Sequence, residues 1–96
     1  MLTVDEIRSA AQELGAQYGV EHIYLFGSYA RGEADGESDL DFLVYGGKDF
    51  KLTWIFSFAE ELREALKKDV DVFEIHEINQ ESEFYRTIMK EKVLVA

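Results

Sequence analysis

The chain has 96 residues, no cysteine, and a formal net charge of −10 from 20 acidic and 10 basic residues. This length predicts a single domain over residues 1–96, and the lack of cysteine excludes disulfides and cysteine-ligated metal sites. An acidic surface argues against direct nucleic-acid binding, because phosphates need a basic face. The sequence shows no signal peptide and no apolar run of membrane-spanning length, so we expect a soluble cytoplasmic protein that does not contact membranes.

The first half of the chain predicts two helices and two strands. Apolar residues spaced three and four apart indicate a helix over residues 3–18, with Thr3 and Glu6 in the pattern of a capping box. The run HIYLF over 22–26 favours a buried strand, after which 28–31 can form one turn of helix. Residues 39–45 alternate, which predicts a strand with two different faces.

The second half of the chain predicts a long helix over 51–67, a strand over 70–75, a helix over 82–91 and an edge strand over 93–95. Lys67 and Lys68 suit the C-terminus of the long helix. Helices and strands alternate along the chain. The fold class is therefore predicted as α/β, close to α+β: a small mixed sheet with helices mainly on one face.

The long helix carries more apolar surface than one buried stripe requires. Trp54, Phe56 and Phe58 add aromatic rings beside the stripe. A helix buried on two sides would explain them, and so would a surface for a partner or for a second copy of the chain. His22 and His76 lack the spacing of metal ligands, and we interpret both as structural.

The segment GSYARGEADGESDLD over 27–41 combines features of an anion site and a cation site. Gly27 permits a sharp turn after a strand, Ser28 offers a hydroxyl and a free N–H, and Arg31 lies one turn later, which together suit a phosphate. Asp39 and Asp41 lie two apart on a strand, so their carboxylates share a face and tolerate each other best around Mg²⁺ or Mn²⁺. Each half alone is common in turns and solvated strands, but the combination is more specific.

The same segment resembles the signature of the DNA polymerase beta-type nucleotidyltransferase superfamily. It is most similar to the minimal nucleotidyltransferases of bacteria and archaea, which have the pattern GSxARGxxxxxSDxD and about this length. The resemblance covers essentially the whole chain and implies a polymerase beta-like palm core. The positions that match the pattern are Gly27, Ser28, Ala30, Arg31, Gly32, Ser38, Asp39 and Asp41.

The resemblance also implies roles for individual residues. Asp39 and Asp41 would bridge two Mg²⁺ ions, and Asp71, placed as the third carboxylate by its position on the next strand, would hold one ion and accept a proton as general base. The nucleotide-binding residues would be Gly27, Ser28, Arg31 and Ser38. The implied reaction transfers AMP from ATP to an acceptor hydroxyl.

A chain this short has no separate domain for an acceptor, so the acceptor should come from another molecule. Minimal nucleotidyltransferases often act as antitoxins that adenylylate a tyrosine of a HEPN-domain ribonuclease toxin, and the resemblance implies this role. Two alternatives stay open: a non-catalytic antitoxin that masks its partner stoichiometrically, and a transferase with a small-molecule acceptor such as an aminoglycoside. Helix 51–67 is the candidate surface for homo- or hetero-oligomers.

Overall fold

The computed structural model describes residues 2–96 and contains four helices, a short 3₁₀ turn and four strands. In chain order these are α1 (Val4–Tyr18), β1 (His22–Phe26), α2 (Ser28–Arg31), β2 (Leu40–Tyr45), α3 (Trp54–Leu66), β3 (Val70–Glu74), the 3₁₀ turn (Ile75–Glu77), α4 (Glu83–Glu91) and β4 (Val93–Leu94). The predicted elements and their order are confirmed.

The four strands form one mixed sheet in the order β3-β2-β1-β4. β1 pairs antiparallel with β2 and with β4, whereas β2 and β3 are parallel. A parallel pair requires a crossover connection, which here is α3. The last strand lies at the sheet edge, as predicted.

Helices cover the two faces of the sheet unequally. Leu40, Phe42 and Val44 of β2 face the main core, where α1 and α3 pack. Leu43 faces the other side, where it packs with Ile88 of α4. The alternation in β2 therefore fixes which side of the sheet carries which helix, and most helices lie on one side as predicted.

The ends of α1 follow from local chemistry. The Thr3 hydroxyl accepts a hydrogen bond from the Glu6 N–H at 3.2 Å and caps the first turn. Gly19 ends the helix in the left-handed region at φ 68°. The Tyr18 hydroxyl donates to the Glu61 carboxylate and so joins α1 to α3.

The long helix begins at Trp54, three residues later than predicted, and ends at Leu66. Before it, the N–H groups of Trp54 and Ile55 donate to the carbonyls of Lys51 and Leu52, which lie three residues back in a tight turn. Leu52 falls within the predicted helix over 51–67, but it is 52% exposed because it lies in this turn. Lys67 ends the helix in the left-handed region at φ 55°.

The aromatic residues of α3 divide between the core and the surface. Phe58 is fully buried in the main core, and Trp54 packs edge-on against Phe50 and Tyr18. Phe56 is 77% exposed. The role of α3 in association therefore stays a prediction that concerns mainly Phe56.

The third strand ends one residue earlier than predicted, at Glu74. The Glu74 carboxylate accepts the His76 N–H at 2.7 Å and starts the 3₁₀ turn. The same carboxylate accepts the Gly46 N–H at 3.0 Å, so it also holds the turn after β2. Within residues 2–96, none of the helices combines the length and apolarity needed to cross a membrane.

Candidate active site

The turn between β1 and α2 brings the main chain at Gly27 close to the carboxylate of Asp41. Gly27 has φ 78° and ψ −157°, a backbone conformation that residues other than glycine rarely adopt. Phe26, the residue before it, pairs with Asp41 of β2. A Cβ on Gly27 would overlap the Asp41 carboxylate, whose Cγ would lie 3.2 Å away. Only glycine therefore fits beside Asp41.

The sheet register brings Asp41 and Asp71 together. The two residues are directly opposite each other on the parallel strands β2 and β3. Asp39 lies immediately before β2 and is exposed, like Asp71, whereas Asp41 is partly buried. All three predicted carboxylates thus lie at the same end of the sheet.

The electrostatics of Asp41 reflect this crowding. Burial raises the pKa of the Asp41 carboxyl to about 6, with further contributions from the negative charges of Asp71, Asp39 and Glu91. The Arg31 guanidinium acts in the opposite direction but does not offset them. This site disfavours a further negative charge unless a cation accompanies it.

The donor set suits a hard divalent cation only in part. In the described part of the chain, no group of three histidine or carboxylate side chains is gathered closely enough to hold a metal ion by itself. Mg²⁺ commonly takes one or two protein carboxylates and completes its shell with substrate phosphates and water. Asp41 and Asp71 repel each other across the two strands. They fit a Mg²⁺ ion whose remaining ligands are substrate phosphates and water.

Arg31 is held by two carboxylates on different elements. Its Nε donates to Glu33 Oε1 at 3.1 Å, and its Nη1 donates to both carboxylate oxygens of Glu91 at 3.2 Å. Gly27 is among the residues expected to bind the nucleotide, and its N–H donates to Glu91 Oε1 at 2.9 Å in this structure. Sequence reasoning missed Glu91, because no motif marks it and only the return of α4 and β4 to β1 places it here.

A cavity of about 360 Å³ joins these groups. Its polar side comprises Gly27, Ser28, Arg31, Asp41 and Glu91. Its apolar side is an aromatic wall of three phenylalanines whose ring centroids lie 5.4–6.1 Å apart. These are Phe26, Phe73 and Phe84.

Three predicted site residues do not line this cavity: Ser38, Asp39 and Asp71. Asp39 lines a neighbouring cavity of about 480 Å³, together with Lys67 and Lys68. Ser38 lies in the loop between α2 and β2, where its hydroxyl accepts the Asp35 N–H at 3.0 Å. The Lys68 Nζ donates to the Gly36 carbonyl at 3.0 Å and holds the same loop. Ser38 and Lys68 thus shape the approach to Asp39.

The histidines lie elsewhere. His22 is at the opposite end of β1 from Gly27 and packs against the rings of Tyr24 and Tyr45. The His76 Nδ1 lies 2.9 Å from Glu74 Oε1. These contacts are with other side chains of this chain, and the interpretation of both histidines as structural stays a prediction.

Comparisons with known proteins agree on one family. The family model for "Polymerase beta, Nucleotidyltransferase" matches residues 9–96. The protein adenylyltransferase MntA of Thermococcus cleftensis is 35% identical over 99 residues, which cover 99% of this chain and 98% of that protein.

Two solved structures show the same fold. One is a toxin–antitoxin complex with AMP-PNP, in which the matching chain has a TM-score of 0.78 at 23% identity, over 99% of this chain and 73% of that one. The other contains a tri-AMPylated HEPN toxin of Shewanella oneidensis with its MNT antitoxin, and gives a TM-score of 0.75 at 19% identity over 98% and 72% of the two chains.

Proposed function

The chain belongs to the polymerase beta nucleotidyltransferase family, and we propose that it transfers AMP from ATP to a hydroxyl group of a HEPN-domain toxin and thereby acts as an antitoxin. The activity is suggested by the relative called protein adenylyltransferase MntA, which matches along its whole length. The partner is suggested by the complex of an AMPylated HEPN toxin with an MNT antitoxin.

The observation that carries the proposal is the position of Asp41. It faces Asp71 across the parallel strand pair and lines the same cavity as Ser28 and Arg31. A carboxylate pair beside donors for an anion is the arrangement that a nucleoside triphosphate with Mg²⁺ requires. Few other ligands combine so much negative charge with accompanying cations.

Each polar residue has a role in this proposal. Asp39, Asp41 and Asp71 would hold Mg²⁺, which when bound lowers the pKa of the acceptor hydroxyl and neutralises phosphate charge. Arg31 and the Ser28 hydroxyl bind the phosphates that leave as pyrophosphate. Asp71 is exposed and accepts the proton of the attacking hydroxyl at its carboxylate.

The acceptor is proposed to be a tyrosine. The aromatic wall beside Asp41 offers edge-on and stacked contacts to a planar ring, and Phe84 is 44% exposed and therefore accessible. The net charge of −10 complements a partner that itself binds RNA phosphates. The aromatic wall suits a tyrosine ring better than a small polycation, whereas the net charge of −10 would attract either.

The test is transfer of label from α-labelled ATP to a co-purified HEPN toxin in the presence of Mg²⁺. We expect labelled toxin, a mass increase of one AMP per site, and loss of both with Asp39→Asn or Asp41→Asn. Asp49→Asn is the matched control, because Asp49 is exposed and lies after β2, away from Asp41. A tight complex with unmodified toxin would contradict transfer and favour stoichiometric masking.

A further inference from the structure

We propose that Glu91 is a positioning residue for nucleotide binding: its carboxylate ties the Gly27 turn to Arg31 and so orients the guanidinium for the phosphates. This inference rests on the proposed function, since it concerns the same nucleotide. Glu91 itself would not touch the nucleotide and acts through Arg31.

The geometry around Glu91 is that of a clamp. One oxygen, Oε1, accepts both the Gly27 N–H at 2.9 Å and Arg31 Nη1 at 3.2 Å, and the second oxygen also accepts from Nη1 at 3.2 Å. The Glu91 side chain is only 16% exposed, whereas that of Arg31 is 43% exposed. The carboxylate is thus the fixed member of the pair and the guanidinium the accessible one.

Glu91 is held in place by its position at the end of α4. The Lys92 N–H donates to the Ile88 carbonyl at 2.9 Å and closes the last turn of the helix. The chain then enters β4, which pairs with β1 at Tyr24 and Leu25. This pairing anchors Glu91 beside the end of β1, where the Gly27 turn begins.

The Glu91 carboxylate is electrostatically unfavourable beside Asp41 unless a positive charge compensates for it. Glu91 contributes to the raised pKa of Asp41, and it would also repel a triphosphate. A neutral glutamine would still accept the Gly27 N–H through its amide oxygen. The negative charge of Glu91 is therefore needed for Arg31, because a neutral glutamine would bind the guanidinium poorly.

The clamp leaves part of Arg31 available. Its Nε and Nη1 are engaged by Glu33 and Glu91, while Nη2 has no hydrogen-bond partner within residues 2–96. The guanidinium is planar, so fixing two nitrogens fixes the direction of the third. A phosphate oxygen can then bind Nη2 without displacing either carboxylate.

The test is a double-mutant cycle between Glu91 and Arg31, read as the dissociation constant of Mg-ATP by calorimetry. Glu91→Gln keeps the acceptor for Gly27 and removes the charge, and we expect about a tenfold weaker affinity, since charge-assisted hydrogen bonds are roughly twice as strong as neutral ones. In an Arg31→Ala background, Glu91→Gln should cause no further loss. If the wild-type chain is active, KM should rise while kcat changes less than about twofold.

Two controls separate positioning from folding. Thermal unfolding monitored by circular dichroism shows whether each variant folds. Glu91→Asp keeps the charge on a shorter side chain and should recover part of the affinity that Glu91→Gln loses.

The possible outcomes are distinct. Unchanged or tighter binding by Glu91→Gln, or losses that add in the double variant, would overturn the positioning role. No binding of Mg-ATP by the wild-type chain would overturn this role and the proposed function together. Binding without transfer to a toxin would contradict only the proposed function, and the dissociation constants would still decide the role of Glu91.

Discussion

Removing the negative charge of Asp41 should stabilise the nucleotide-free protein while it abolishes activity. The pKa of this carboxyl is raised from 3.8 to about 6 by burial and by Asp71 and Asp39. A rise of that size corresponds to about 3 kcal/mol of unfavourable free energy for the ionised carboxyl in the folded state. Because Asp41 is only partly buried and water screens its neighbours, we expect about 1–2 kcal/mol for Asp41→Asn.

The effect has a defined pH dependence. Between pH 4 and 6 the folded carboxyl binds a proton more readily than the unfolded one, so the free energy of unfolding falls as the pH rises through this window. Above about pH 6 the full cost applies, and below about pH 4 it disappears. The gain from Asp41→Asn should therefore be largest at pH 7.5 and small at pH 4.

The assay is urea denaturation of the wild-type chain and the variant at pH 7.5, 5.5 and 4, with Asp49→Asn as the control for net charge. In a parallel thermal unfolding experiment at pH 7.5, the midpoint should rise by about 4–16 °C, as expected for about 1–2 kcal/mol in a domain of this size. A variant that is less stable than the wild type at pH 7.5, or a difference that persists unchanged at pH 4, would refute the reasoning.

Three further predictions concern the turn, the ligand and the buried carboxylate. Gly27→Ala should destabilise the fold by about 1–3 kcal/mol and prevent nucleotide binding, because the new Cβ would meet the Asp41 carboxylate and the backbone has φ 78°. Gly36→Ala is the control, since the space around Gly36 is open, and it should change neither the stability in denaturation assays nor the affinity in binding assays. Mg-ATP at about 100 times its dissociation constant should stabilise the wild-type chain by about 2.7 kcal/mol, with no thermal shift in Asp39→Asn, and a shift in that variant would contradict its role. Glu74→Ala should cost about 1–3 kcal/mol at pH 7 by leaving the Gly46 N–H without its acceptor, measured by urea denaturation, and an unchanged midpoint would argue against the hydrogen bond.

The sequence allowed most of the fold to be predicted because local chemistry determines it. The period of the apolar residues located α1, α3 and α4, and alternation in β2 located its two faces. The start of α3 was misplaced because the turn at Lys51–Leu52 uses hydrogen bonds that the apolar period does not encode. For Phe58 the sequence left burial and a partner surface both open, and the structure places its side chain in the main core.

The site was predictable where its residues are close in the chain. Gly27, Ser28, Arg31 and Asp41 fall within one segment and line one cavity. Glu91 depends on a tertiary arrangement, the return of α4 and β4 to β1, so local pattern could not identify it. Asp71 required the strand order, and its place opposite Asp41 comes from the parallel register.

The parallel register between β2 and β3 also determines which features of this chain can vary: the length of the connection between the strands can change, but their pairing cannot. Asp41 and Asp71 meet because Leu40 pairs with Val70 and Phe42 with Val72, whatever lies between the strands. The length of the connection around α3 is thus free to change at small entropic cost, whereas a shift of one residue in β3 would turn Asp71 to the opposite face. In redesign or in distant relatives, the third carboxylate should therefore be located by strand pairing, since its distance along the sequence carries no information about the site.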